Sequence, residues 1–517
     1  MSHSGLFVGL LLAASASVAD GAAATTARLV VTVTEPGGGH LPCRVHLSVN
    51  GKPVYAEGLP RFERDPHFVC TGRFELSLHA GKGHLRIERG PEYCPFATDF
   101  DLQAGHTRQL PVELSRWIDM NDRGWFSGDL HVHCPVAYMP LLLAAEDVNV
   151  APVLTHWNQQ HFRTSPPYLL EVPERSVASP KPRRFHTLAQ EDERAGGAIL
   201  MLNLRKPVRL EGVVRDHPSG FAYHRLAQEQ DGAFIDLEKP FWWEAPVHVA
   251  LGRVDAIGIA CNHFQRQGVM DNEAWGRPRD RAHAPGPLGF AHGVFDLYYR
   301  YLNLGYQIAA SAGSASGVLA SPLGYNRVYV RLGEFGYAAW FDALRAGRSV
   351  VTNGPMLFAT VNGKPVGTRF EVGRGEAFLA DIELEAMDRD PLARAEIVVG
   401  GKVAATFKPQ PGDAHYLRAR HRLRIDRSTW LAVRVFEPTR DGGKNIRFAH
   451  TSPFYITIAR QRPRDVGSAR FFVRWLDQLI AATARKQAAA RDPAPFDPML
   501  ATYRRARAIY QAIAEGR

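Results

Sequence analysis

The segment Gly128-Asp129-Leu130-His131-Val132-His133 places two imidazoles and a carboxylate within six residues. On an extended strand alternate side chains share a face, so Asp129, His131 and His133 are expected to point the same way. Such a donor set suits a divalent first-row ion such as zinc, manganese or iron. With 21 histidines in 517 residues, chance alone supplies on the order of one His-x-His. The pair therefore gains meaning only from its surroundings; otherwise these are satisfied histidines at a strand end.

A metal site needs a third donor from distant chain. Glu191 and Glu193, in Glu191-Asp192-Glu193, are the catalytic candidates: either could help hold an ion or take a proton, and the cluster reads equally as a solvated turn. His156 follows an apolar run and is either a ligand or a core residue. His263 follows the run ending at Cys261 and is a ligand candidate by position. Asp129 is expected to orient a ligating imidazole more than to bind metal itself. Asp236, Glu238 and Lys239 close another run, as substrate-binding groups or a structural ion pair. Trp157, with Trp242 and Trp243, could rim a pocket or fill a core. His217 and His248 have no spacing argument and read as structural.

The elements that must position these groups form a series. Residues 20–118 show short alternating runs (Val45, Leu47, Val49; Phe74, Leu76, Leu78; Leu85, Ile87) separated by Asn50-Gly51 and Gly81-Lys82-Gly83, the pattern of an N-terminal β-sandwich. Over 119–354, near-continuous apolar runs (128–133, 148–155, 198–203, 233–237, 254–261, 307–311) alternate with helical stretches (137–146, 241–251, 294–304). That alternation predicts a central α/β barrel with parallel strands, an open sheet being the alternative. Strand patterns return over 355–462 as a second sandwich. A helical tail, 463–517, carries Phe472, Trp475, Leu476 and Leu479, then Met499, Tyr503, Ala506 and Tyr510 on stripes, with Ser468 as a candidate cap.

The string Trp125-Phe126-Ser127-Gly128-Asp129-Leu130-His131-Val132-His133, opening this α/β section, resembles the first motif of the PHP superfamily and, more narrowly, the CehA/McbA family of metallohydrolases. Leu154-Thr155-His156, Glu191-Asp192-Glu193, Val254-Asp255-Ala256-Ile257, Gly347-Arg348-Ser349, Thr352-Asn353-Gly354-Pro355 and Ala449-His450-Thr451-Ser452-Pro453 match in type. The resemblance covers about 117–458. It implies a distorted (β/α)7 barrel, metal at the strand C-termini, and hydrolysis of an ester, carbamate or phosphoester. The chain departs from the pattern at Thr155-His156-Trp157-Asn158, Lys239-Pro240 and Ser311-Ala312-Gly313-Ser314-Ala315-Ser316-Gly317, where further ligands are expected. What survives could hold one divalent ion, at most two. The rival reading is a barrel without catalysis that binds a carbohydrate or a cell-surface polymer.

Other classes find less support. The net charge of +10 comes from 62 Lys+Arg against 52 Asp+Glu spread along the chain, with no basic block of the kind a nucleic-acid partner requires. No Gly-x-Ser-x-Gly elbow, P-loop or dinucleotide fingerprint is present. Leu6 to Ala19 is a short apolar run ending in Ser17-Val18-Ala19, read as a signal peptide over 1–19 despite the absence of Lys or Arg in Met1-Ser2-His3-Ser4. Export to a periplasm or the cell exterior is expected, without a membrane span in the mature chain, and with a small molecule or a polymer as substrate. The five cysteines (43, 70, 94, 134, 261) form no Cys-x-x-Cys. Three lie in the N-terminal region, where one disulfide is compatible with export and the pairing is open.

Overall fold

The computed structural model describes residues 25–157, 161–162, 169–171, 183–280, 283 and 285–517; the expected signal peptide lies outside them. Near the N-terminus, Thr26–Thr34 pairs antiparallel with Arg73–His79 and parallel with Thr107–Glu113. A second sheet runs Arg61–Phe62, His67–Cys70, Cys43–Val49, Gly81–Glu88, Phe96–Leu102, with Lys52–Pro53 added beside Cys43–Val49. The alternating apolar residues of both sheets, among them Leu29, Val31, Val45, Leu47, Phe68, Leu85 and Ile87, meet in one core.

The α/β barrel expected over 119–354 is not formed. The chain is dominated by strands, and its central strands belong to one mixed sheet of 17. Some neighbours are parallel, as Val150–Trp157 is to Arg184–Arg194 and Phe234–Leu237 to Ala256–Ala260. Gly197–Leu202 is instead antiparallel to both its neighbours, Arg184–Arg194 and Phe234–Leu237. The reason is the connection: Ala195-Gly196 leaves two residues between strands, enough for a hairpin and far too few for the crossover that parallel strands need. Gly197 leaves that turn at φ +119°, and a Cβ there would lie 2.3 Å from Trp242 Cβ. The sheet also continues past residue 355, because Ser349–Thr352 pairs with Phe448–Thr451. The C-terminal strands are thus not a separate sandwich; a four-stranded sheet (Lys364–Pro365, Met356–Val361, Phe378–Met387, Tyr416–Ile425) packs over this part of the large sheet around Ile382, Leu384, Ile397, Val433 and Ile456.

The tail helices Val466–Ala489 and Asp497–Ala514 bury Phe472, Trp475, Leu476, Tyr503 and Tyr510 in the main core. The first is capped by Asp465, whose carboxylate accepts from Ser468 N at 2.6 Å, and not by Ser468 itself. Trp475 Nε1 donates to Trp243 O at 3.1 Å and Tyr510 Oη to Pro246 O at 3.0 Å. Among the described residues no helix is long and apolar enough to cross a membrane.

Beneath the tail, His224 of helix Phe221–Gln228 and His248 of helix Ala245–Leu251 stack with Nδ1 atoms 2.9 Å apart. Burial holds both below the usual histidine value, His224 to about 4. The folded state thus prefers the neutral rings: their stability is complete above about pH 6.5 and is lost as pH falls through the folded values, by up to about 1.4 kcal/mol per pH unit per ring. Urea midpoints measured from pH 7 to pH 4 should fall in this window, and fall less steeply in His224→Gln.

Candidate metal centre

Three donor groups converge on one point from two distant segments. The strand Trp125–Gly128 ends before the histidines, and the chain continues extended, with Val132 bridging to Val153 and Ser316. This continuation keeps the two-residue alternation, so the His131 and His133 Nε2 atoms come within 2.9 Å. Glu191, on Arg184–Arg194, brings its Oε2 to 3.6 Å from His131 Nε2 and 3.3 Å from His133 Nε2. All three side chains are buried, and the three form one of the groups in the described chain able to hold a metal.

A fit to a divalent ion can be tested on these distances. The circle through the three atoms has a radius of about 1.9 Å, close to the 2.0–2.1 Å at which such donors bind a divalent ion. Glu191 Oε2 makes no sound hydrogen bond although buried, a cost that a cation would relieve. The residues fit.

The surrounding groups tune the three. Glu238 Oε1 stands 3.1 Å from His131 Nδ1, an ion-pair contact without hydrogen-bond geometry. Glu238 is itself held by Trp242 Nε1 at 3.1 Å and by the Lys239 ammonium. Burial alone would depress His131, but Glu191 and Glu238 outweigh it and lift the ring to about 10. Burial likewise opposes the Glu191 carboxylate, and the two histidines bring it down to about 2. His133 is depressed, chiefly by burial. Glu193 shares the Glu191 face by its two-residue spacing; its Oε2 accepts from Trp157 Nε1 at 3.1 Å, and the Trp157 ring lies 4.5 Å from the His133 ring. Burial, then the charges of Glu191 and Glu238, push Glu193 up to about 7.

Beside His131 is a small cavity lined by Asp236, Glu238, Asn262 and Ser311, with room for about one water. Asp236 Oδ2, Asn262 Oδ1 and Ser311 Oγ make no hydrogen bond of sound geometry there. Burial raises Asp236 to about 7, partly offset by the Ser311 hydroxyl.

The other candidates lie differently. Asp129 does not join the ligands: its carboxylate accepts from the backbone N–H groups of His131 (3.1 Å), Ser314 (3.0 Å) and Gly324 (2.7 Å), anchoring the segment. His156 is one residue from Trp157 and so faces the opposite side of the sheet, in register with Gln190 while Trp157 opposes Glu191. His263 stacks on Phe290 at 5.5 Å, with Nδ1 3.2 Å from Met270 O, in an aromatic cluster. Sequence reasoning took Glu238 for a substrate contact or an ion pair and missed its contact with His131; Asp236-x-Glu238 at a strand end was the available signal. Asn262 and Ser311 carried none.

Two other clusters could hold a metal by distance, His46–Asp65–His67 and Asp388–Asp390–Glu437. Guanidinium groups already serve them: Arg266 Nη1 is 2.8 Å from both His46 Nε2 and Asp65 Oδ2, and Arg440 Nη2 is 2.6 Å from Glu437 Oε2 and 3.1 Å from Asp390 Oδ2. A large cavity lies away from the histidines, between the hairpin at 194–197 and the tail helices, with Trp242, Trp243, Trp275 and Tyr503 in its wall. None of the three donor groups found among the described residues lies in its wall, so the histidine–glutamate cluster is the candidate centre.

The centre depends on close backbone approach. A Cβ at Gly313 would lie 2.4 Å from His131 Cβ and 3.0 Å from His131 N, atoms that yield only by moving the segment. Gly313→Ala is therefore expected to lower metal affinity by about 10–100-fold, the scale of losing an outer-shell support. Calorimetric zinc titration checks this; unchanged affinity would show that His131 tolerates the shift.

No family model matches the chain, and no curated protein does so significantly. Among solved structures it is similar to GBS52, the minor pilin of Streptococcus agalactiae, with 18% identity, 18% of this chain and 46% of that chain covered, and a TM-score of 0.16. It is also similar to the Bacillus anthracis TIE protein, with 8% identity, 84% and 50% covered, and a TM-score of 0.14. The chain spans about half the length of these two structures. Superpositions this poor carry no argument about fold or function.

Proposed function

We propose that the protein is an exported hydrolase that uses one divalent metal ion, zinc, manganese or iron, on an ester, carbamate or phosphoester of a small molecule or polymer. The observation that carries this reading is the convergence of His131, His133 and Glu191 on a buried three-donor site. The sequence resemblance to CehA/McbA metallohydrolases supports it. His131, His133 and Glu191 would hold the ion, with Glu238 paired to His131. A bound ion of this kind supplies a water activated near neutral pH and polarises the scissile carbonyl or phosphoryl oxygen. Glu193, fixed by the Trp157 indole on the same face as Glu191, is the carboxyl placed to take or return a proton. Asp236 and Asn262, in the small cavity beside His131, offer polar groups for a water.

The test is turnover of nitrophenyl esters, carbamates and phosphodiesters by protein loaded with each metal. Hydrolysis that disappears in folded His131→Ala/His133→Ala supports the reading; no turnover of any class by metal-loaded protein overturns it. Glu193→Gln should keep its metal and lose about 10²–10⁴-fold in kcat; an unaltered rate would remove Glu193 from the mechanism. A second reading, a module binding a glycan or surface polymer, draws on the tryptophan-walled cavity between hairpin and tail. It predicts glycan binding that is indifferent to metal removal.

A further inference from the structure

The five cysteines are free thiols in the structure, but two of them are placed as a pair. Cys43 opens the strand Cys43–Val49, Cys70 closes His67–Cys70, and the antiparallel ladder sets them directly opposite each other. Facing residues in such a ladder have Cα atoms about 4.5–5.5 Å apart, inside the span that a disulfide bridges. Their sulfurs are 3.6 Å apart and both residues are fully buried. Joining them asks the sulfurs to approach by about 1.5 Å, within reach of side-chain rotation over an unmoved backbone. The other thiols are elsewhere: Cys94 is exposed, Cys134 packs with Val132 and Met139, and Cys261 lies in the main core.

We propose that Cys43 and Cys70 are a covalent modification site and form a disulfide in the mature protein. The step is a two-electron oxidation by a low-molecular-weight disulfide such as oxidised glutathione. The Cys43 and Cys70 S–H bonds break, one S–S bond forms between them, and the oxidant's S–S bond is cleaved to two thiols that receive the two protons and two electrons. Since both sulfurs are enclosed in the folded unit, exchange takes place as this sheet forms.

The cross-link sits where the N-terminal sheets dock. Arg44, next to Cys43, reaches Glu146 Oε1 at 2.7 Å, and Asp65, just before the second strand, holds Arg266 at 2.8 Å. Joining the two strands braces the part of the sheet beside these two ion pairs, and closes a loop whose ends are 27 residues apart. Such a loop restricts the unfolded chain far more than a local staple.

The experiment is thiol counting on the full chain, refolded from the reduced, unfolded state in oxidised and reduced glutathione, then denatured and alkylated with iodoacetamide without reductant. Three modified cysteines are expected, at positions 94, 134 and 261, rising to five after reduction, with one linked peptide pair containing positions 43 and 70. The Cys43→Ser chain should show four modified cysteines without reductant, a count made on denatured protein and so independent of folding. The unfolding midpoint of the oxidised chain should exceed that of the reduced chain by about 5 °C or more. Five modified cysteines in wild type, a linked pair involving any other cysteine, or two modified cysteines in Cys43→Ser would each overturn the assignment.

Discussion

Replacing His133 with alanine is expected to empty the metal centre while leaving the fold in place. His133 contributes one of three donors, and the remaining pair, His131 Nε2 and Glu191 Oε2, is 3.6 Å apart, with no further donor in the group that the described residues form there. Loss of a direct ligand should cost more than the roughly 10–100-fold in affinity that follows loss of an outer-shell partner. Metal carried through purification should therefore drop from about one ion per chain to a trace, and hydrolysis with it. His133 is a safer target than His131. Its ring lies against Trp157, whereas His131 stands between the buried carboxylates Glu191 and Glu238, so removing it takes a cationic partner from both. Retained metal in His133→Ala would refute the ligand assignment.

The largest stability effect is expected at Asp147. This buried carboxylate accepts from Arg89 at 3.1 Å, from Arg116 at 2.7 Å and from Arg183. It joins the N-terminal sheets to the large sheet. Burial disfavours its charge, yet Arg183, Arg89 and Arg116 together hold the carboxyl well below the usual range. A depressed folded value means that this stabilisation is present above the unfolded value near pH 3.9 and is lost only as pH falls through the lower folded one. Asp147→Asn keeps the shape and removes the counter-charge that three guanidiniums share, so a loss of about 3–5 kcal/mol is expected. Urea unfolding at pH 7 measures it. Asp426→Asn, which breaks an exposed pair with Arg424, should barely move the midpoint. Equal midpoints for the two variants would refute a central role for this junction.

Parts of this molecule were legible in the sequence, for identifiable reasons. The convergence of His131 with His133 follows from two-residue alternation, which survives even though the strand proper ends at Gly128. Glu191 was a reasonable third donor because an acidic cluster beside apolar runs places alternate carboxylates on one face. The same rule counts against His156: one step from Trp157, it is carried to the other side of the sheet. Barrel topology was misread because near-continuous apolar runs do not encode strand direction. Direction came from the two-residue turn Ala195-Gly196, too short for anything but a hairpin. The second sandwich merged into the large sheet through the pairing of Ser349–Thr352 with Phe448–Thr451, a contact between segments about a hundred residues apart. The Cys43–Cys70 pairing was likewise invisible, since it depends on register.

The most direct measurement is anomalous diffraction from crystals of the full chain grown without chelator, collected at the absorption edges of zinc, manganese and iron. One peak is expected, within about 2.0–2.3 Å of both histidine Nε2 atoms and of a Glu191 carboxylate oxygen. A map with no peak there, and the two rings hydrogen-bonded to protein groups, would contradict the proposed chemistry.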